Sequence, residues 1–88
     1  MKLTVADKEL LKKWGYPEKD FEQIEMATEA KCTTYEMNGE KISATKAIEV
    51  LGREAYLSGI GRSAFHFTSF RENDNGQGVH FNSSKLFK

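Results

Sequence analysis

The dipeptide Asn38-Gly39 places the tightest limit on how this chain can fold. Both residues enter left-handed backbone conformations at little cost, as a two-residue hairpin loop demands, and the strand-prone stretch Cys32-Thr33-Thr34-Tyr35-Glu36-Met37 leads straight into it. Such a loop fixes the register, pairing Met37 with Glu40 and Tyr35 with Ile42. Thr33, Tyr35, Met37 and Ile42 then share one apolar face, and Glu36 and Lys41 meet on the other. A ribbon in mid-chain between helical patterns leads to an α+β class: two N-terminal helices, a β-hairpin, a central helix and a C-terminal β-hairpin.

The helices announce themselves by their ends. Thr4 can cap a helix opening at Val5, with Asp7 adding negative charge to its first turn. Leu10, Leu11 and Trp14 follow at helical spacing, and Gly15 suits the residue just past the end. Pro17 fits the first position of a second helix, whose inner face is Phe21, Ile24 and Ala27 or Thr28 and which should fade near Ala30 or Lys31. Ser43 caps a third, with Ala44, Ala47, Ile48, Leu51 and Ala55 as its stripe. Gly52 lies on the buried side of that helix, where a missing side chain lets another backbone approach, and Ser58-Gly59-Ile60-Gly61 reads as its stop.

The last third alternates. Ala64 to Phe70 forms one strand, Val79 to Asn82 the other, and the polar segment Glu72 to Gly78 joins them as the expected mobile loop. Phe65, Phe67, Val79 and Phe81 point to the core, which puts His66 and His80 together on the outside with Thr68 and Phe70 beside them.

Composition bounds the class. At 88 residues there is room for one domain, 1–88, burying roughly 60–65% of the surface of its unfolded chain. A single cysteine, Cys32, forms no internal disulfide, which suits a reducing compartment. The charged opening MKLTVADKELLKKW and the lack of a long apolar run predict a cytoplasmic protein with neither secretory leader nor membrane span. Net charge is zero, yet residues 1–40 carry six Lys/Arg and nine Asp/Glu, whereas residues 41–88 carry seven and four. The second half could therefore form a modest basic patch, although dedicated nucleic-acid binders are far more basic.

Three constellations could carry chemistry. Cys32 with His66 or His80 has the residue types of a thiolate nucleophile and its base, but no helix start or glycine elbow surrounds the cysteine, and its strand context favours a structural role. The same three residues lack the close ligand pairs that zinc prefers, so neither metal nor cofactor is expected. Ser58-Gly59-Ile60-Gly61-Arg62-Ser63 has the ingredients of an anion cradle, but its glycines close a helix instead of opening one, so it reads as a cap and bend with Arg62 left as a surface cation. Arg53, Arg62, His66, Phe70, Arg71, His80 and Lys85 combine cations with rings that could stack on bases.

The stretch from Leu51 to His66, LGREAYLSGIGRSAFH, resembles a segment of small uncharacterised proteins of Firmicutes and their mobile elements. That resemblance implies an intracellular bacterial accessory protein, and no site residue follows from it. The leading expectation is a non-enzymatic module that binds another macromolecule, a protein in the first place, through a sheet face or edge centred on Arg62, His66, Phe70, Arg71 and His80. A homodimer through the second hairpin is one form of it. A nucleic-acid-binding accessory protein and a Cys/His enzyme are the alternatives, and no membrane role is expected because the polar helix faces are acidic.

Overall fold

The computed structural model describes residues 2–29 and 31–87. It is an α+β fold of four helices and one four-stranded antiparallel sheet.

Helix α1 (Val5–Lys13) begins with a reciprocal capping box. Thr4 Oγ1 accepts from the Asp7 amide at 3.1 Å, and Asp7 Oδ2 accepts from the Thr4 amide at 2.9 Å. It ends in a Schellman motif. Gly15, at φ +99°, donates to the Lys12 carbonyl at 3.0 Å, and Tyr16 donates to the Leu11 carbonyl at 2.9 Å. Pro17 does not open the next helix as its first residue. It stays extended and precedes a 3₁₀ turn, Glu18–Asp20, before helix α2 (Phe21–Ala27). Phe21, Ile24, Ala27 and Thr28 are buried as the spacing predicts, but the helix stops at Ala27, short of the expected end. Of the two residues given for that end, Ala30 lies outside the described residues and Lys31 is in a turn.

Strands β1 (Thr34–Met37) and β2 (Glu40–Ile42) pair in the register that the Asn38-Gly39 loop dictates, with Tyr35 opposite Ile42 and Met37 opposite Glu40. Asn38 and Gly39 take φ of 56° and 82°. Cys32 and Thr33 precede the strand and are not part of it.

The central helix departs most from expectation. Helix α3 (Ala44–Leu51), capped by the Ser43 side chain, ends at Gly52, which takes φ 85° and ψ 156°. Helix α4 (Arg53–His66) starts at once. Gly52 closes one helix and opens the other, its amide donating to the Ile48 carbonyl at 2.7 Å and its carbonyl accepting from Tyr56 at 3.0 Å. Ser58 to Gly61 is therefore mid-helix and not a stop, and Ala64 to His66 is helix and not strand. Both glycines are sterically explained: Gly59 sits against the Phe81 ring and Gly61 against Tyr16. The chain turns at Phe67, at φ 71°, into β3 (Thr68–Glu72) and β4 (Gly78–Asn82), and a 3₁₀ turn follows at Ser84–Phe87.

The sheet order is β2-β1-β4-β3, and the helices cover one face. Tyr35, Val79 and Phe81 point inward against Leu11, Ile24, Ala47, Tyr56, Leu57, Ile60 and Ala64. Val79 and Phe81 are the core residues expected of the second hairpin. Phe65 and Phe67 are not. Phe65 is half-buried on α4 with its ring 6.4 Å from that of Tyr16, and Phe67 is 49% exposed. The Glu72–Gly78 connection is organised around Asn73. Asn73 Nδ2 donates to the Val50 carbonyl and to Gln77 Oε1, and Asn73 Oδ1 accepts from the amides of Asn75 and Gln77. A segment expected to be mobile is thus tied to the end of α3.

Candidate functional site

Directly opposed residues of antiparallel strands share a face. Across this sheet that rule builds one continuous outer row of Lys41 on β2, Glu36 on β1, His80 on β4 and Phe70 on β3. Thr34, Asn82 and Thr68 form a second row beside it. All seven are exposed except Thr34, which is half-buried, and no element among the described residues lies over them. An open depression of about 330 Å³ lies on this face, lined by Thr34, Glu36, Thr68, His80, Phe81 and Asn82.

The aromatic end of the first row is held in place. Phe70 is 44% exposed, and its ring centre lies 4.6 Å from that of His80 with the planes inclined at 48°. Gly78, its diagonal neighbour, lets the ring lie on the sheet, because a Cβ at that position would collide with the Phe70 ring. The ring therefore lies over Gly78 and against the His80 ring while part of it meets solvent.

Behind this face the inner layer is polar at two points. The Tyr35 and Tyr56 hydroxyls meet at 2.9 Å beside the Phe81 ring, and burial pushes both phenols above their ordinary pKa. Thr33, Ser83 and Ser63 form a buried hydroxyl chain, Thr33 Oγ1 to Ser83 Oγ at 2.7 Å and Ser83 Oγ to Ser63 Oγ at 2.8 Å. Ser63 Oγ donates onward to the Ile60 carbonyl at 3.3 Å. These hydroxyls satisfy one another inside the core and are structural.

An ion pair between a buried carboxylate and a partly exposed guanidinium locks α1 to α4. Arg53 Nη2 and Nε donate to Asp7 Oδ2 and Oδ1 at 2.7 and 3.0 Å, while Asp7 is 2% exposed. The hydrogen bonds from Arg53, aided by that from the Thr4 amide, hold the Asp7 carboxyl below its ordinary range despite burial. Arg53 is thereby committed to the fold.

The five residues singled out from the sequence occupy three places. Phe70 and His80 are neighbours on the open face. Arg62 and His66 are exposed on α4 and at its C-terminal end. Arg71 lies opposite Val79 on the helix-facing side, where Nε donates to Ser58 Oγ at 2.8 Å and Nη1 to the Phe70 carbonyl at 2.8 Å. His66 and His80 are thus not cross-strand neighbours: the first is helical, and the ring beside His80 is Phe70. Cys32 sits half-buried in the turn before β1, and among the described residues no hydrogen bond joins it to either histidine. Nor does any group of three or more His, Cys, Asp or Glu side chains among them have the placement to hold a metal ion. Glu36 and Lys41 were legible as an outer pair, but their continuation into His80 and Phe70 was missed. The helical run Tyr56, Leu57, Ile60 and Ala64, which passes through Gly59 and Gly61, was the signal for where α4 ends and β3 begins.

No family model, no curated protein and no solved structure matches this chain. No helix is long and apolar enough to cross a membrane among the described residues.

Proposed function

We propose that the protein is a non-enzymatic interaction module that binds another protein through the open face of its sheet. The observation that carries this reading is the uncovered row of Lys41, Glu36, His80 and Phe70 across all four strands, which ends in an exposed aromatic ring laid over Gly78. Aromatic side chains with few free rotors are favoured anchors at protein interfaces, since little entropy is lost when they are covered. Charge on the face supports a protein in preference to a polyanion, with Lys41 set against Glu36 and Glu72. The arginines lie elsewhere. Arg53 is bound to Asp7, Arg71 to Ser58, and Arg62 is on α4.

The face is favoured over the edges. β2 has only three residues, and on β3 the Arg71 guanidinium already occupies the Phe70 carbonyl, which blunts strand addition.

A photo-crosslinking residue at position 70, compared with one at Lys13 on α1, tests the reading in the cells that make the protein. One defined protein adduct at position 70 and none at position 13, followed by direct binding of the purified pair, is the expected result. Nucleic-acid adducts at position 70, together with low-salt retardation of an oligonucleotide that weakens steeply with added salt, would replace it with the nucleic-acid reading. Equal labelling at both positions would overturn it.

A further inference from the structure

We infer that the protein bound by the open face is a second copy of this chain, packed face to face about a two-fold axis that runs along the strands between β1 and β4. This rests on the reading of that face as a binding surface, and it follows from the order of groups in the row. From β2 to β3 the row presents a cation, an anion, an imidazole and a phenyl ring: Lys41, Glu36, His80, Phe70.

Two directions of an in-plane two-fold axis stack such a face on itself with the strands aligned. An axis across the strands and through this row preserves its order, setting Glu36 on Glu36 and Lys41 on Lys41, and like charges directly opposed oppose association; placed between the two rows it sets Glu36 over Thr34 and gives neither charge an opposite one. An axis along the strands reverses the order. β1 then faces β4 of the second copy and β2 faces its β3, so that Glu36 meets the second copy's His80 and Lys41 meets the second copy's Phe70. Symmetry makes each contact twice, as an isologous interface requires. The first is a hydrogen bond from imidazole to carboxylate, and the second sets an ammonium over an aromatic face. Thr34 likewise meets the second copy's Asn82, donor and acceptor on both sides. Strands related in this way run nearly aligned, the usual geometry for stacked sheets.

The size of the face sets the strength. Four strands spaced ~4.8 Å apart, the longest of five residues at ~3.4 Å each, make a face of at most roughly 19 by 17 Å. That is about 300 Å² before side-chain relief, against about 800 Å² per partner in a standard interface, so the dimer is a weak one that exchanges with monomer.

Sedimentation equilibrium over a wide concentration range tests this on the intact chain; positions 36 and 80 are exposed but opposed within the chain across β1 and β4, so folding of each variant is checked by circular dichroism and thermal denaturation, His80→Glu in particular because it sets two carboxylates together. Wild type should show a reversible monomer–dimer equilibrium. Glu36→Lys and His80→Glu should each weaken it by about tenfold or more, because each removes the opposed pair at both symmetry-related sites. An equimolar mixture of the two single variants should recover association, since the heterodimer regains an attractive pair at both sites. The double variant Glu36→Lys/His80→Glu should recover it within one chain, which only the row-reversing axis permits. A wild type that stays monomeric at the highest concentration overturns the inference, as does a dimer indifferent to His80→Glu. Loss in the single variants without recovery in the double variant also overturns it. A monomer that still crosslinks a different protein at position 70 removes the second copy and leaves the interaction module standing.

Discussion

Gly59 and Gly61 lie two residues apart in α4, and replacing each by alanine separates helix propensity from packing. In a helix interior either change favours the helix by about 1 kcal/mol. At position 59 the new Cβ would fall 2.5, 2.7 and 2.9 Å from three atoms of the Phe81 ring. That is about 1 Å inside the ~3.5–4.0 Å optimum for carbon contacts. The ring cannot step aside. Phe81 is 1% exposed, Tyr35 meets its edge at 5.5 Å between ring centres and Tyr56 lies at 6.0 Å. The helix must instead lift from β4, which places the cost near the top of the ~1–3 kcal/mol range for overpacking. After the propensity gain, Gly59→Ala should lose about 2 kcal/mol, or roughly 8–16 °C in Tm at ~4–8 °C per kcal/mol for a domain of this size. At position 61 the new Cβ meets Tyr16 Oη and Cζ at 3.1 and 3.2 Å, and Tyr16 is only half-buried, so its ring can give by a few tenths of an ångström. Gly61→Ala should fall within about 0.5 kcal/mol of wild type. Thermal and urea denaturation followed by circular dichroism measure both. A Gly59→Ala protein as stable as Gly61→Ala would refute the close approach of α4 to Phe81.

Four further substitutions probe the frame. Asp7 has its folded pKa depressed, so its contribution is fully present above the ordinary carboxylate pKa of ~3.9 and is lost as pH falls through the lower folded value. Asp7→Asn should therefore cost about 1–2 kcal/mol near neutrality and converge on wild type in acid; urea midpoints that stay parallel from pH 7 to pH 2 would contradict this. Tyr35→Phe or Tyr56→Phe should each cost about 1–2 kcal/mol by leaving a buried hydroxyl alone, whereas the double variant should cost less than the two combined; additive losses in a double-mutant cycle would deny the 2.9 Å bond its role. Gly52→Ala meets no atom within 4 Å, so any loss, expected at about 1–3 kcal/mol, reports the backbone angle alone, and an unchanged Tm would exclude the break between α3 and α4.

How legible each element was in the sequence depended on whether its signals were local. Thr4, Asp7 and Gly15 act within one turn of the residues they cap, and Asn38-Gly39 acts on its immediate neighbours, so α1 and the first hairpin follow from the sequence with their register. Glycine misleads where its reason is distant. Gly59 resembles a helix stop until Phe81, twenty-two residues away, supplies the ring that needs the space. A helix stopped at Gly61 puts Phe65 and His66 in a strand and pairs the two histidines falsely. The parity of the outer face survived, because alternation in Val79-His80-Phe81 is local, and so Phe70 and His80 were both placed outside. Their adjacency to Glu36 depends on β1 pairing with β4, a contact between segments more than forty residues apart that no short-range signal encodes.

That pairing also dictates an order of assembly. β4 stands between β1 and β3, so the first hairpin has no inner neighbour until residues 78–82 exist and find it. Before then Tyr35 lacks Phe81, and two separate strand edges stay open to any other chain nearby. Closure across so long a loop carries an entropic cost, which slows folding relative to a sheet built of neighbouring hairpins alone.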